Sequence, residues 1–273
     1  MTVYFLEERN GCLALYHFIV YNLGGLYYIK NKIYDIMENY DFAKIQELDD
    51  TNKESVKLYL KLKDGHLKQT ILEAFTLLRG SYELVDEDEL TRSDIINIYG
   101  EPCNINGASD NHTKIFPFLR RLFLDRIQFS DERGKKIFIG RKRSIVANNT
   151  CHGQYVRCII NEDEFSTNLQ KHGIETIYLE DYSFEDKIRL FHSCALIIST
   201  GSSALTFCLW CNPDVKVVEM NRRFGYHYSL ICNTLNLQYH RYTAINEDYH
   251  SGNFVIEDTD PIYEYIYHLI ESR

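Results

Sequence analysis

Three short stretches carry residue types and spacings suited to a phosphorylated ligand. The apolar run KIFIG (136–140) opens directly onto Arg141, Lys142 and Arg143. Guanidiniums at a strand end can grip phosphate oxygens bidentately; the plainer role for Arg141 and Arg143 is a solvated basic loop. Further on, ALIIS (195–199) opens onto Thr200-Gly201-Ser202-Ser203, ahead of a helix predicted over 202–211. Small side chains there would let an anion reach unpaired backbone N–H groups and the positive end of the helix dipole. The competing reading is an ordinary serine-capped helix start. The run VKVVEM (215–220) then ends with Glu219 placed to accept ribose hydroxyls or to stand as a surface charge.

The surrounding elements must bring these stretches to one place. From Lys136 onward, strands and helices alternate: strands KIFIG, IETIYLE, ALIIS, VKVVEM and LQYHRYT, helices after Asn161, Ser183, Ser202 and residue 223, and a closing helix DPIYEYIYHLIES. Asn161 with Glu164 reads as a capping box closed by Gly173, Ser183 pairs with Asp186, and Asp260 caps the last helix with Pro261 in its first position. Such alternation demands a parallel sheet with helices on both faces, and ligands then bind beyond the carboxyl ends of the strands.

The first half is less regular. TVYFLE, VKLYLKL (56–62), YELVD and DIINIY read as strands, with helices over 12–23, 66–80 and 114–127, the last with Pro117 near its first turn. The polar stretch SDERGKK sets a boundary near residue 132. This gives two half-size α/β domains, 1–132 and 133–273. The last helix, 260–272, is a candidate to pack back on the first domain.

Bulk properties narrow the function. Thirty basic against thirty-nine acidic residues give a formal net charge of −9, which argues against general nucleic-acid binding. The eight cysteines lack framework spacing, and Cys208-x-x-Cys211 has no companion pair with zinc-site spacing. Residues 12–29 carry no formal charge, but His17, Asn22 and the Gly24-Gly25 break favour a buried helix over a membrane span. Glu7 and Glu8 stand where a secretory signal would need basic residues, so a cytoplasmic protein is expected, in the host cytoplasm if viral. Asp86-Glu87-Asp88 and Asp258-Thr259-Asp260 fit an Asp-x-Asp metal motif, yet neither follows a long apolar strand; no metal or cofactor is expected. No G-x-G-x-x-G follows an early strand, which disfavours a dinucleotide-dependent dehydrogenase.

The order R-x-R, then Arg157-x-x-x-Asn161-Glu162, then I-I-S-x-x-S-x-x-L, then V-V-E resembles the carboxyl-terminal domain of glycosyltransferase family 61, clearest over residues 136–220. The early segment CLALYHFIVYNL resembles the family's early helix with a central histidine, here His17. One departure matters: the family's His-Gly-Ala is replaced by Gly201-Ser202-Ser203.

The resemblance implies two Rossmann-like domains facing a cleft, the GT-B type, with 1–132 as the acceptor side and 133–273 as the Rossmann-like nucleotide-sugar-binding domain. It also implies inverting, metal-independent transfer from a nucleotide sugar, with a UDP-linked xylose or N-acetylglucosamine as the expected donor. The acceptor would be a glycan or glycoprotein hydroxyl. In that frame His17 is the catalytic base, and Arg141, Arg143, Arg157, Thr200, Gly201, Ser202, Ser203 and Glu219 hold the donor. The plainer roles are a packed helix histidine for His17 and an ion pair with Glu162 or Glu164 for Arg157. A microbial or viral enzyme without a membrane span would fit. The alternative is a catalytically silent relative that only holds a glycan or nucleotide.

Overall fold

The computed structural model describes residues 2–6, 15–24, 26–27, 56–59, 66–79, 81–85, 94–98, 112–142, 159–220, 227–243, 254–257 and 260–271. The chain divides into two compact units, Met1–Arg126 and Ile127–Arg273.

In the first unit, strands β1 (Thr2–Leu6), β2 (Val56–Tyr59), β3 (Tyr82–Leu84) and β4 (Asp94–Ile98) form a parallel sheet in the order β3-β2-β1-β4. Helix α1 (Leu15–His17) continues as a π-wound segment, Phe18–Leu23. The sequence predicts one ordinary helix here. Phe18, Ile19 and Val20 are all fully buried, so packing rather than a polar–apolar period governs the winding. Helix α2 (His66–Leu77) buries Ile71, Ala74, Phe75 and, just beyond it, Leu78, the i, i+3, i+4, i+7 stripe of an amphipathic helix. Helix α3 (His112–Leu124) starts two residues before the predicted point, which moves Pro117 past the first turn.

The second unit holds a five-stranded parallel sheet: β5 (Lys135–Ile139), β6 (Glu175–Ile177), β7 (Cys194–Thr200), β8 (Lys216–Met220) and β9 (Gln238–Tyr242), in the order β6-β5-β7-β8-β9. Right-handed crossovers fix which face each connection covers. The step from β5 to β6 runs one way across the sheet and all later steps run the other way. Helix α4 (Glu162–Gln170) therefore covers one face. Helix α5 (Phe184–Ser193), a 3₁₀ helix at Ser203–Trp210 and α6 (His227–Thr234) cover the other.

The buried cluster on the α4 face joins Phe138, Leu196, Ile198, Val218 and Met220 to Phe165 and Leu169. Helix α7 (Ile262–Glu271), expected as a candidate to pack back on the first domain, sinks Ile262, Tyr263, Ile266 and Leu269 into this same cluster. Its start is capped as predicted, Ile262 N–H donating to Asp260 Oδ1 at 3.0 Å.

Ser183 likewise caps α5, accepting from the Asp186 amide at 3.1 Å. The Asn161 capping box does not form. The Asn161 side-chain amide still donates to Glu164 Oε2 at 3.0 Å, but it caps no helix amide; it donates to Ile256 O at 2.7 Å and accepts from Ile256 N–H at 3.1 Å, extending the parallel bridge between Ile159 and Phe254. A side-chain amide can satisfy a backbone donor and acceptor together, and here that pairing displaces the cap.

The predicted helix over 202–211 is wound as 3₁₀ from Ser203 to Trp210. Leu205 through Trp210 are buried, so no polar face imposes a 3.6-residue period. In a 3₁₀ helix residues i and i+3 eclipse. Phe207 and Trp210 accordingly lie together, ring centroids 5.4 Å apart, and both meet Phe184, at 5.6 and 5.8 Å.

Candidate functional site

Strands β5 and β7 are neighbours, with Ile139 beside Ser199. The chain leaves β5 toward β6 and leaves β7 toward β8, in opposite directions. This is the topological switch point, where the covering helices part and leave a crevice beyond the strand ends. Because the strands are parallel, Gly140-Arg141-Lys142 and Thr200-Gly201-Ser202 emerge side by side at the same edge.

At the β7 end, Thr200 is 2% exposed, and its hydroxyl has no hydrogen-bond partner among the described residues. A buried hydroxyl left unmatched costs stability, so a ligand oxygen is a fitting complement. Gly201 continues the ladder, its N–H donating to Met220 O at 3.3 Å. Ser202 occupies the N-cap position in an extended conformation, yet its side chain makes no cap bond. Its hydroxyl lies 3.4 Å from that of Ser199. The serine-capped reading of this turn is therefore not what the structure shows. The first intrahelical bond runs from Leu205 N–H to Ser202 O at 3.0 Å, which leaves the Ser203 and Ala204 amides without an intrahelical partner.

The β5 end is arranged differently. Gly140 N–H donates to Ile177 O at 3.0 Å, which holds the turn against β6. The Arg141 amide donates to both carboxylate oxygens of Glu162, at 3.1 and 3.2 Å. Tyr178 bonds the same carboxylate through its side chain. Burial pushes the Glu162 carboxyl above its ordinary value; the Arg141 amide pulls it back, Asp163 adds like-charge repulsion, and the Arg141 charge and the Tyr178 bond both lower it. Lys142 Nζ pairs with Asp181, so the middle residue of the basic trio is bound to the protein itself.

Glu219 is not the accessible carboxylate expected at a strand end. It is 2% exposed, it accepts from the Tyr239 hydroxyl, and Arg241 of β9 lies 3.9 Å from its Oε2. Its face of the sheet is covered by the 3₁₀ helix and α6, so a ribose could meet it only by displacing internal partners. The Tyr239 phenol is raised, first by burial and then by its bond to Glu219. Tyr178 and Arg241 carry no site signal in the sequence, whereas Glu162 stands in the Arg157-x-x-x-Asn161-Glu162 block without a site role being read from it. Gly140 was the available signal, because a glycine directly after a strand can mark close approach of another group.

Arg143 and Arg157 lie outside the described residues, as does Asp86-Glu87-Asp88. His17 closes α1, and only its backbone is described. Of the second Asp-x-Asp, Asp260 serves as a cap and accepts from the Tyr242 hydroxyl. Cys208 and Cys211 are fully buried free thiols. Among the described residues, no group of three or more His, Cys, Asp or Glu is arranged to hold a metal ion, and no helix is long and apolar enough to cross a membrane.

A parallel α/β unit with anion-compatible groups gathered at its switch point has the layout that open sheets use for nucleotide ligands. The chain belongs to glycosyltransferase family 61: the model of that family, described as Glycosyltransferase 61, matches residues 69–218. No curated protein matches the chain. Among solved structures, the E. coli heptosyltransferase WaaC with ADP aligns with a TM-score of 0.45 and 7% identity, covering 98% of this chain and 100% of that one. A dipicolinate synthase chain from Bacillus halodurans aligns with a TM-score of 0.23 and 9% identity, covering 80% of this chain and 67% of that one. Both scores are too low to carry an argument about fold or activity.

Proposed function

We propose that this family 61 member is an inverting, metal-independent glycosyltransferase of the GT-B type. It would move xylose or N-acetylglucosamine from a UDP-linked donor to a hydroxyl of a glycan or glycoprotein. The observation that carries this reading is the pairing of the Arg141 turn and the Thr200–Ser203 turn on adjacent strands at the switch point, with the Thr200 hydroxyl unmatched.

The chemistry makes two demands. As the acceptor oxygen attacks the anomeric carbon, its proton must go to a base. As the bond from that carbon to the phosphate oxygen breaks, UDP leaves with the electron pair and must be stabilised. In this reading Arg141, the Thr200 hydroxyl and the Ser203 and Ala204 amides meet the second demand by preorganised electrostatics. Arg143 and Arg157 are assigned to the same donor. His17 is the proposed base, a role worth about 10²–10⁴ in rate.

The test is thermal stability against a panel of nucleotides and UDP-sugars, with and without Mn²⁺ and a chelator. Ligand at a hundred times its Kd should add about 2.7 kcal/mol. We expect UDP or a UDP-sugar to stabilise regardless of chelator. Arg141→Ala should lose most of the response, since a hydrogen bond to a charged group is worth about 1.5–3 kcal/mol. A full response in that variant contradicts the site.

The replacement of the family's His-Gly-Ala by Gly201-Ser202-Ser203 favours one second reading, a silent relative that binds UDP without turnover. Release of UDP from a UDP-sugar, even if slow, separates the two.

A further inference from the structure

We propose that Glu162 is a positioning residue of the donor site: it fixes the Gly140–Lys142 turn and so aims the Arg141 side chain across the switch point. The inference rests on the donor-site reading above and adds a residue to it.

The geometry is specific. Both carboxylate oxygens converge on one amide, that of Arg141, at 3.1 and 3.2 Å. A Cβ at position 140 would lie 2.7 Å from Glu162 Oε1, 3.3 Å from its Cδ and 2.9 Å from a ring carbon of Tyr178. Only glycine leaves room for the carboxylate where it sits. Tyr178 anchors the carboxylate from the β6 side, and Asp181 holds Lys142 just beyond. The turn is thus braced on both sides of Arg141.

The arrangement has an electrostatic cost. Glu162 is the first residue of α4, in a helix start that also carries Asp163 and Glu164, and its negative charge stands beside a site proposed for a diphosphate. It also occupies the Arg141 amide, so at this strand end an anion must be met by side chains. Two opposed effects follow. Removing the charge should help an anion bind, and loosening the turn should hurt.

Three variants separate these effects. Glu162→Gln keeps the length and an acceptor oxygen but removes the charge. Glu162→Asp keeps the charge but withdraws the carboxylate by one methylene. Arg141→Ala is the control for the site itself. The readouts are the Kd for UDP by titration calorimetry and the melting temperature of each unliganded variant.

Positioning predicts that Glu162→Gln binds UDP at least as tightly as the parent, while Glu162→Asp loses about tenfold, a factor equal to 1.4 kcal/mol. That order should persist where melting temperatures are equal. If Glu162→Asp matches the parent, or Glu162→Gln is the weaker of the two, the positioning role is overturned. If Arg141→Ala weakens binding while Glu162→Asp matches the parent, the donor site stands and only the role of Glu162 falls. If Arg141→Ala binds UDP like the parent, the donor-site reading fails and this inference fails with it.

Discussion

The two strand ends that flank the switch point solve opposite problems. At the end of β7, backbone and hydroxyl donors are left open: the Thr200 hydroxyl is unmatched, Ser202 makes no cap, and the next two amides precede the first helical bond. At the end of β5, the nearest amide is already taken by a protein carboxylate, and the turn carries an arginine whose charge also acts on that carboxylate. One side, or lip, of the switch point offers a hydroxyl and main-chain amides, and the other is a braced turn carrying a long side chain. A site that grips a departing anion gains from both, because fixed dipoles need no reorganisation and a guanidinium supplies full charge.

The largest expected effect comes from removing what supports the β7 lip. Phe207 lies in the aromatic cluster with Phe184, Phe191 and Trp210 beneath the Ser203–Trp210 helix. Phe207→Ala should cost about 3–5 kcal/mol in denaturant unfolding. A loss below about 1 kcal/mol would mean that the cluster does not hold this lip.

Gly140→Ala attacks the β5 lip. Its Cβ must push the Glu162 carboxylate off the Arg141 amide, at a cost of about 1–3 kcal/mol in stability, with weaker UDP binding. Unchanged affinity in a folded variant would show that the bracing does not matter.

Thr200→Val is smaller and sharper. It replaces the unmatched hydroxyl with a methyl group, so the unliganded protein should be as stable as the parent or more so. UDP affinity should fall by about 1 kcal/mol, several-fold. Loss of stability with normal affinity would assign the hydroxyl to the fold.

The smallest effect is on pH dependence. Because the folded chain raises the Glu162 carboxyl, both states are protonated at low pH and the group contributes nothing there. As pH rises from the ordinary carboxylate range through the raised value, the cost of the buried charge sets in and stability falls. The stability of Glu162→Gln relative to the parent should therefore improve with rising pH across that window. A flat difference would mean that the group does not titrate abnormally.

Local grammar in the sequence was legible where partners lie a few residues apart. Ser183 with Asp186, Asp260 ahead of α7, and the stripe of α2 all concern neighbours within about two turns, and all appear as read. The alternation of strands and helices pointed to the parallel sheet, though not to the strand order that places Arg141 beside Thr200.

Partners distant in sequence were not legible. Asn161 has the spacing of a capping residue and does bond the Glu164 side chain, yet its oxygen accepts from Ile256, 95 positions on, rather than from a helix amide. Glu219 looks like an exposed strand end until β9 supplies Tyr239 and Arg241. The 3₁₀ winding at Ser203–Trp210 left no trace because a segment buried on all sides has no period to read.

Whether a nucleotide diphosphate sits between the two lips is best decided by a crystal structure of the protein with UDP. Phosphate oxygens should lie within hydrogen-bond reach of the Thr200 hydroxyl and the Ser203 and Ala204 amides, with the Arg141 guanidinium closing from the β5 side. UDP bound away from the carboxyl ends of β5 and β7, with Thr200 still unmatched, would refute the site.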